Sequence, residues 1–172
     1  MPETDPELPV LVSSGKRKFT CYPAAILVLI VNCEREFLLV SPGGAVDRWE
    51  VVSGAIEGTE TLLDGARREI HEELGSRARV RILGTVNAQT FPYDQVIQNM
   101  ISVTFLGHYQ GGDISPGDDI RGYEYRWFGI DEILSGKVSV AVPEGQSWMF
   151  RRSLEMYDLW RDDPVDLQVT LT

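Results

Sequence analysis

Residues 54–75 read GAIEGTETLLDGARREIHEELG, and this stretch predicts a helix that presents acidic side chains along one face. Glu69, Glu72 and Glu73 stand at positions i, i+3 and i+4, so their side chains share that face. Like charges this close destabilise a helix unless a cation lies among them. A hard cation with oxygen ligands, Mg²⁺ or Mn²⁺, meets that need, and an ordinary solvated acidic face is the alternative.

The ends of this helix are predicted by residues with known positional preferences. Thr61 with Asp64 three positions later is the pattern of a capping box at the amino end. Gly75 is a typical residue at which a helix ends. The apolar positions recur at helical spacing and predict one buried face, made of Leu63, Ala66, Ile70 and Leu74.

The stretch as a whole resembles the Nudix box, Gly-x5-Glu-x7-Arg-Glu-U-x-Glu-Glu-x-Gly-U, in which U is a bulky aliphatic residue. Only the last position departs from the pattern, with Ser76 where an aliphatic residue is usual. The resemblance implies an α/β/α sandwich built on a mixed β-sheet, with the box as a loop-helix-loop motif. The matching positions are Gly54, Glu60, Arg68, Glu69, Ile70, Glu72, Glu73 and Gly75.

The resemblance also implies an activity, the hydrolysis of a nucleoside diphosphate linked to another moiety with Mg²⁺ or Mn²⁺ as cofactor. Carried over position by position, the metal ligands would be Glu69, Glu72, Glu73 and the backbone carbonyl of Ser53. The general base differs within the family, and here Glu72 or Glu73 is expected to take that role. A metal ion at this place would neutralise a bound pyrophosphate and polarise a water for attack on phosphorus.

Other box positions are implied to support the ligands. Arg68 would orient Glu69 and belongs with the catalytic residues, and Glu60 would stabilise the ligand cluster. Gly54 and Gly75 would form the turns that begin and end the motif.

The residues just before the box bear on the substrate. Trp49 followed by the turn Ser53-Gly54 is similar to the branch that acts on nucleoside triphosphates and dihydroneopterin triphosphate. A nucleotide sugar such as ADP-ribose is the alternative substrate, and a domain that binds nucleotides without cleaving them is the alternative class. An isopentenyl-diphosphate isomerase would need a cysteine before the helix, and neither Cys21 nor Cys33 lies there.

Candidate substrate-binding residues outside the box are few. Arg48 is the nearest basic residue to the expected phosphate site, and Tyr93 stands in a predicted turn where it could stack on a base. Relatives often carry a glutamate six residues before the tryptophan of the last strand, but here that position is Arg121. Asp119 or Glu124 could replace the missing carboxylate.

Composition limits the other classes of partner. The formal net charge of -10 disfavours a nucleic-acid polymer, since phosphate backbones require Lys and Arg, whereas a small phosphorylated substrate can bind through a metal ion. The longest apolar run, 24–31, is too short to span a bilayer, so no membrane partner is expected. Cys21 and Cys33 show no disulfide or metal-ligand spacing, which favours a cytoplasmic protein.

The 172 residues suit a single domain. We expect a flexible N-terminal arm at 1–15, one hydrolase domain at 16–162 and a tail at 163–172. Alternating apolar residues in the tail predict an edge strand at the contact of a homodimer. Strands are expected at 22–31, 36–40, 49–52, 77–90, 99–109 and 124–128, with further helices at 131–134 and 146–160.

Overall fold

In the computed structural model, the chain is described over residues 9–41, 48–115, 124–141 and 147–162. A six-stranded sheet, a separate hairpin of two strands and three helices are described in these ranges. The strands are β1 (Val10–Val12), β2 (Lys18–Thr20), β3 (Ala24–Val31), β4 (Phe37–Ser41), β5 (Val52–Ala55), β6 (Val80–Phe91), β7 (Met100–Tyr109) and β8 (Glu124–Phe128). The helices are α1 (Leu62–Leu74), α2 (Ile130–Leu134) and α3 (Trp148–Trp160).

The larger sheet is mixed, because β3 pairs in parallel with β7 and antiparallel with both β4 and β5. Its order is β6-β7-β3-β4-β8, with β5 paired to the first half of β3. Strand β3 reads AAILVLIV, and an apolar run of this kind is typical of a strand that is covered on both faces.

Each face of the sheet carries its own hydrophobic core. Alternate residues of a strand point to opposite faces, so Val28 and Ile30 belong to one core while Leu29 and Val31 belong to the other. Helix α1 covers the first face with Ala66, Ile70 and Leu74. Helix α3 covers the second face with Met149, Phe150, Leu154 and Tyr157. This arrangement confirms the predicted α/β/α sandwich with a mixed sheet.

Two segments differ from the sequence-based expectation. The strand expected at 49–52 instead runs from Val52 to Ala55, because the box glycine pairs with Ile26 of β3 and continues the ladder. Residues 10–12, expected in a loose arm, pair with β2 in an exposed hairpin. The expected edge strand at 163–172 lies outside the described residues, so it stays a prediction together with the domain boundaries.

Candidate active site

Helix α1 begins at the predicted capping box. The Thr61 hydroxyl accepts a hydrogen bond from the backbone N–H of Asp64 at 3.2 Å, and the Asp64 carboxylate accepts one from the backbone N–H of Thr61 at 3.2 Å. Gly75 ends the helix with a φ of 82°, and a Cβ atom there would lie 2.0 Å from the carbonyl oxygen of Ser115. Because both ends are fixed, the acidic side chains between them hold a defined position.

Arg68 is the centre of a charge network inside the box. Its Nη2 donates to Glu60 Oε1 at 2.9 Å and to the carbonyl oxygen of Ala55 at 2.8 Å. Its Nη1 donates to Glu69 at 2.6 Å and to Glu72 at 3.1 Å. The hydrogen bond to Glu60 is the main cause that raises the pKa of Arg68, and it lowers the pKa of Glu60 in return. The structure therefore brings three predicted carboxylates to one guanidinium group.

Glu69 packs against the turn before the helix. The residue is only 9% exposed, and a Cβ atom at Gly54 would lie 1.8 Å from its Oε1 atom. A side chain at position 54 would therefore displace this carboxylate. Burial raises the pKa of Glu69, and the hydrogen bond from Arg68 opposes that shift.

Glu73 lies in a different environment from Glu69. Its Oε1 atom accepts a hydrogen bond from the backbone N–H of Ser53 at 3.0 Å. Burial, with a smaller contribution from the negative charges of Glu69, Glu50 and Glu72, raises the pKa of Glu73 to about 8 despite that bond. A carboxylate with such a pKa ionises more readily when a cation approaches it.

The acidic face fits a hard divalent cation by the chemistry of its donors. All of them are oxygen atoms, and burial raises the pKa values of Glu69 and Glu73, so a cation beside them would favour their charged forms. Within the described ranges no three carboxylates converge as a metal-binding group, and Arg68 Nη1 bridges Glu69 and Glu72. The Glu72 side chain is 54% exposed, so it can exchange this ion pair for a cation at small energetic cost.

A cleft of about 450 Å³ lies at the start of the box. Ser53 and Gly54 line it, and these are the two residues that contact Glu73 and Glu69 from β5. The cleft therefore ends at the box, and its walls come from β3, β5, β6 and β7.

Two of the predicted substrate-binding residues line this cleft. Arg48 forms an ion pair with Glu50, with 3.0 Å between Nε and Oε1, and both residues are part of the lining. Tyr93 is 61% exposed, and its ring lies 6.4 Å from that of Phe91 between centroids. The cleft thus combines a basic side chain with exposed aromatic surface.

The other two substrate-binding candidates do not join the described site. Glu124 is an exposed residue at the start of β8 and is not part of the cleft lining. The reason is topological, since β8 pairs with β4 at the outer edge of the sheet, away from β3 and β5. Asp119 lies outside the described residues.

Polar cleft residues that were not predicted from the sequence include Glu50, Gln89 and Ser102. Glu50 lies next to Trp49 just before the box, and this position was the available signal. Gln89 and Ser102 face each other on β6 and β7, but strand pairing across 12 intervening positions cannot be read from one sequence.

A family model described as the NUDIX domain matches residues 22–149, which include the whole box. The chain belongs to the Nudix family. Hydrolases of this family generally use divalent metal ions.

Among relatives, this Nudix chain is 31% identical over 125 residues to the NAD-capped RNA hydrolase NudC of Deinococcus radiodurans. That match covers 70% of this chain and 42% of the relative, so the chain spans less than half of that protein. It is 30% identical over 112 residues to the human diphosphoinositol polyphosphate phosphohydrolase 3-alpha, with 64% of this chain and 65% of the relative covered.

A solved structure of the MutT protein from Methanosarcina mazei Go1 superposes on this Nudix chain with a TM-score of 0.55 at 25% identity. The match covers 78% of this chain and 94% of that one, which extends the likeness from the box to most of the domain. Within the described part of the chain, no helix has both the length and the apolar character needed to cross a membrane.

Proposed function

We propose that this Nudix protein hydrolyses the phosphoanhydride bond of a nucleoside diphosphate linked to another moiety, with Mg²⁺ or Mn²⁺ as its cofactor. The observation that carries the proposal is that two residues of the cleft lining contact the acidic face of α1. Ser53 and Gly54 line the cleft and contact Glu73 and Glu69. A phosphate group bound at that end of the cleft therefore lies next to the box.

Glu69, Glu72, Glu73 and the carbonyl oxygen of Ser53 would hold the ion. When bound, the ion supplies charge neutralisation of the pyrophosphate and polarisation of a water. Arg68 keeps Glu69 in place through its 2.6 Å hydrogen bond and is itself anchored by Glu60. This anchoring holds the buried Glu69 carboxylate in one orientation. Catalysis of phosphoryl transfer depends chiefly on such positioning.

Glu72 is the general base in this proposal. Its side chain is 54% exposed and can reach a water, whereas Glu73 is tied to the backbone of Ser53. The water oxygen forms a bond to phosphorus as its proton passes to the Glu72 carboxylate. The bond between phosphorus and the bridging oxygen breaks, and the leaving phosphate takes the electron pair.

The substrate proposed first is a nucleoside or pteridine triphosphate, because the sequence from Trp49 to Gly54 is similar to that of the branch that acts on such compounds. A dinucleotide such as NAD or a nucleotide sugar is the second candidate, supported by the similarity to NudC. A highly charged inositol polyphosphate fits less well, since Arg48 is the only basic residue among the described residues of the cleft lining. The net charge of -10 likewise disfavours an RNA chain.

A substrate panel with one variant tests the proposal. The protein is incubated with Mg²⁺ and nucleoside triphosphates, dihydroneopterin triphosphate, ADP-ribose, NAD or a diphosphoinositol polyphosphate, and the products are identified by phosphorus NMR. We expect turnover of at least one nucleotide or pteridine compound. Glu72→Gln should lower kcat by about 10²–10⁴-fold, the usual contribution of a general base.

Glu155→Gln is the matched control, because Glu155 is an exposed glutamate on α3, distant from the box. It should leave kcat unchanged. Tight nucleotide binding without turnover of any compound would instead support the non-catalytic alternative.

A cytoplasmic location and a homodimer are further proposals, the former based on the free cysteines Cys21 and Cys33.

A further inference from the structure

One row of residues crosses the wall of the cleft. The pairing register places Ala55, Ala25, Ser102 and Gln89 opposite one another on β5, β3, β7 and β6. Residues that are directly opposite in neighbouring strands point to the same face, so these four side chains share the cleft wall. The two alanines are small, which leaves space above them, and the polar side chains come together at the far end of the row.

This far end offers neutral hydrogen-bonding groups. Ser102 is 4% exposed, and its hydroxyl has no hydrogen-bond partner in the described part of the chain. The Gln89 amide oxygen accepts one long hydrogen bond from Asn87 at 3.4 Å, and its NH₂ group has no partner among the described residues. Polar groups that line a cavity and lack partners are available to a ligand.

The two ends of the cleft have different chemistry. Its charged lining residues are Arg48 and Glu50 within the described ranges, whereas the Gln89 end is neutral and lies beside Phe91 and Tyr93. Three strand-to-strand steps separate Ala55 from Gln89, which corresponds to roughly 14 Å. A molecule with phosphates at one end and a flat, neutral heterocycle at the other matches this division.

We propose that Gln89, with Ser102 beside it, is the specificity-determining residue that binds the N6/N7 edge of the substrate's base and therefore favours adenine over guanine. The inference rests on the proposed function, since it assumes that the phosphates lie at the box. The amide of Gln89 presents a donor and an acceptor side by side. The N6 and N7 atoms of adenine present the complementary pair, whereas N7 and O6 of guanine are both acceptors.

Binding of AMP and GMP measured by calorimetry tests this inference. Neither compound contains a phosphoanhydride bond, so the measurement does not depend on hydrolysis. We expect the protein to bind AMP about tenfold more tightly than GMP, at the lower end of the discrimination that a bidentate pair gives. Gln89→Leu should abolish the preference. Gln89→Glu should weaken the binding of both compounds, because an ionised carboxylate cannot donate a hydrogen bond to N7.

Thr90→Ala is the control, since Thr90 is the exposed next residue of β6 and points to the opposite face. It should keep the preference of the natural chain. Equal binding of AMP and GMP, binding of neither, or a preference that survives Gln89→Leu would overturn the inference. Turnover that depends on Glu72 without any base preference would refute this inference alone, whereas an AMP preference without turnover of any compound would refute the catalytic proposal alone.

Discussion

Glu73 should make the stability of the metal-free protein depend on pH. Burial raises the pKa of Glu73 to about 8, whereas an unfolded chain ionises its glutamates near a pKa of about 4.3. Between these values the folded protein binds more protons than the unfolded chain. Its free energy of unfolding therefore falls as the pH rises through that window and levels off above about pH 8.

Urea denaturation with a chelator present, at pH 5 and at pH 8, measures this effect. The natural chain should lose more stability between the two pH values than Glu73→Gln, whose side chain does not titrate. Glu155→Gln should behave like the natural chain. An equal loss in the natural chain and in Glu73→Gln would mean that Glu73 ionises as an exposed glutamate does.

Two box glycines should respond differently to alanine. At Gly54 the added Cβ meets the end of the Glu69 side chain, which can move, so Gly54→Ala should reduce turnover at least tenfold with a small change in stability.

At Gly75 the added Cβ meets the backbone of Ser115, and φ is positive, so Gly75→Ala should cost more than about 1 kcal/mol of unfolding free energy. Thermal denaturation and steady-state kinetics on both variants distinguish these effects, and an unfolded Gly54→Ala protein would contradict the first.

Single residues of the box could be predicted because their roles depend on spacing along one helix. The contact of Arg68 with Glu72 joins residues four positions apart on α1, so it follows from helix geometry, whereas the contact with Glu69 was implied by the resemblance. Gln89 and Ser102 could not be predicted as cleft residues. Their position depends on how β6 pairs with β7, and the register shifts of that pair change which side chains face the cleft.

At the level of elements, the capping box should contribute measurably to α1. Thr61→Ala removes the hydroxyl that accepts from the backbone of Asp64, and a loss of about 1 kcal/mol of unfolding free energy is expected. Thr59→Ala is the matched control, since Thr59 is exposed and lies before the helix cap. Urea denaturation of both variants checks this, and equal stabilities would show that the cap does not limit the stability of α1.

Helices were predicted better than strand β5. The apolar spacing of α1 survives in the fold, and Gly65 within it is explained by close packing, since a Cβ atom there would lie 2.6 Å from Ile56. In α3, the first residue, Trp148, is 41% exposed, whereas the next two, Met149 and Phe150, are buried. Strand β5 was placed too early because its glycine suggested a turn, whereas pairing with β3 determines its position.

For the whole molecule, the sandwich could be predicted because strands with apolar runs alternate with amphipathic helices, and this pattern requires a sheet covered on both faces. The cleft could not be predicted, since its lining comes from β3, β5, β6 and β7, which are distant in sequence. Ser53 and Gly54 line the cleft and also contact Glu73 and Glu69 of α1. The proposed activity therefore depends on the position of one short strand, β5.

The proposed hydrolysis depends above all on a divalent cation bound by the glutamates of α1. A titration with Mn²⁺ followed by electron paramagnetic resonance measures that binding directly. The natural chain and Glu155→Gln should bind Mn²⁺ equally, while Glu69→Gln and Glu72→Gln should each weaken binding at least tenfold. The proposed metal site would be contradicted if Glu69→Gln and Glu72→Gln kept the Mn²⁺ affinity of the natural chain, or if the natural chain did not bind Mn²⁺.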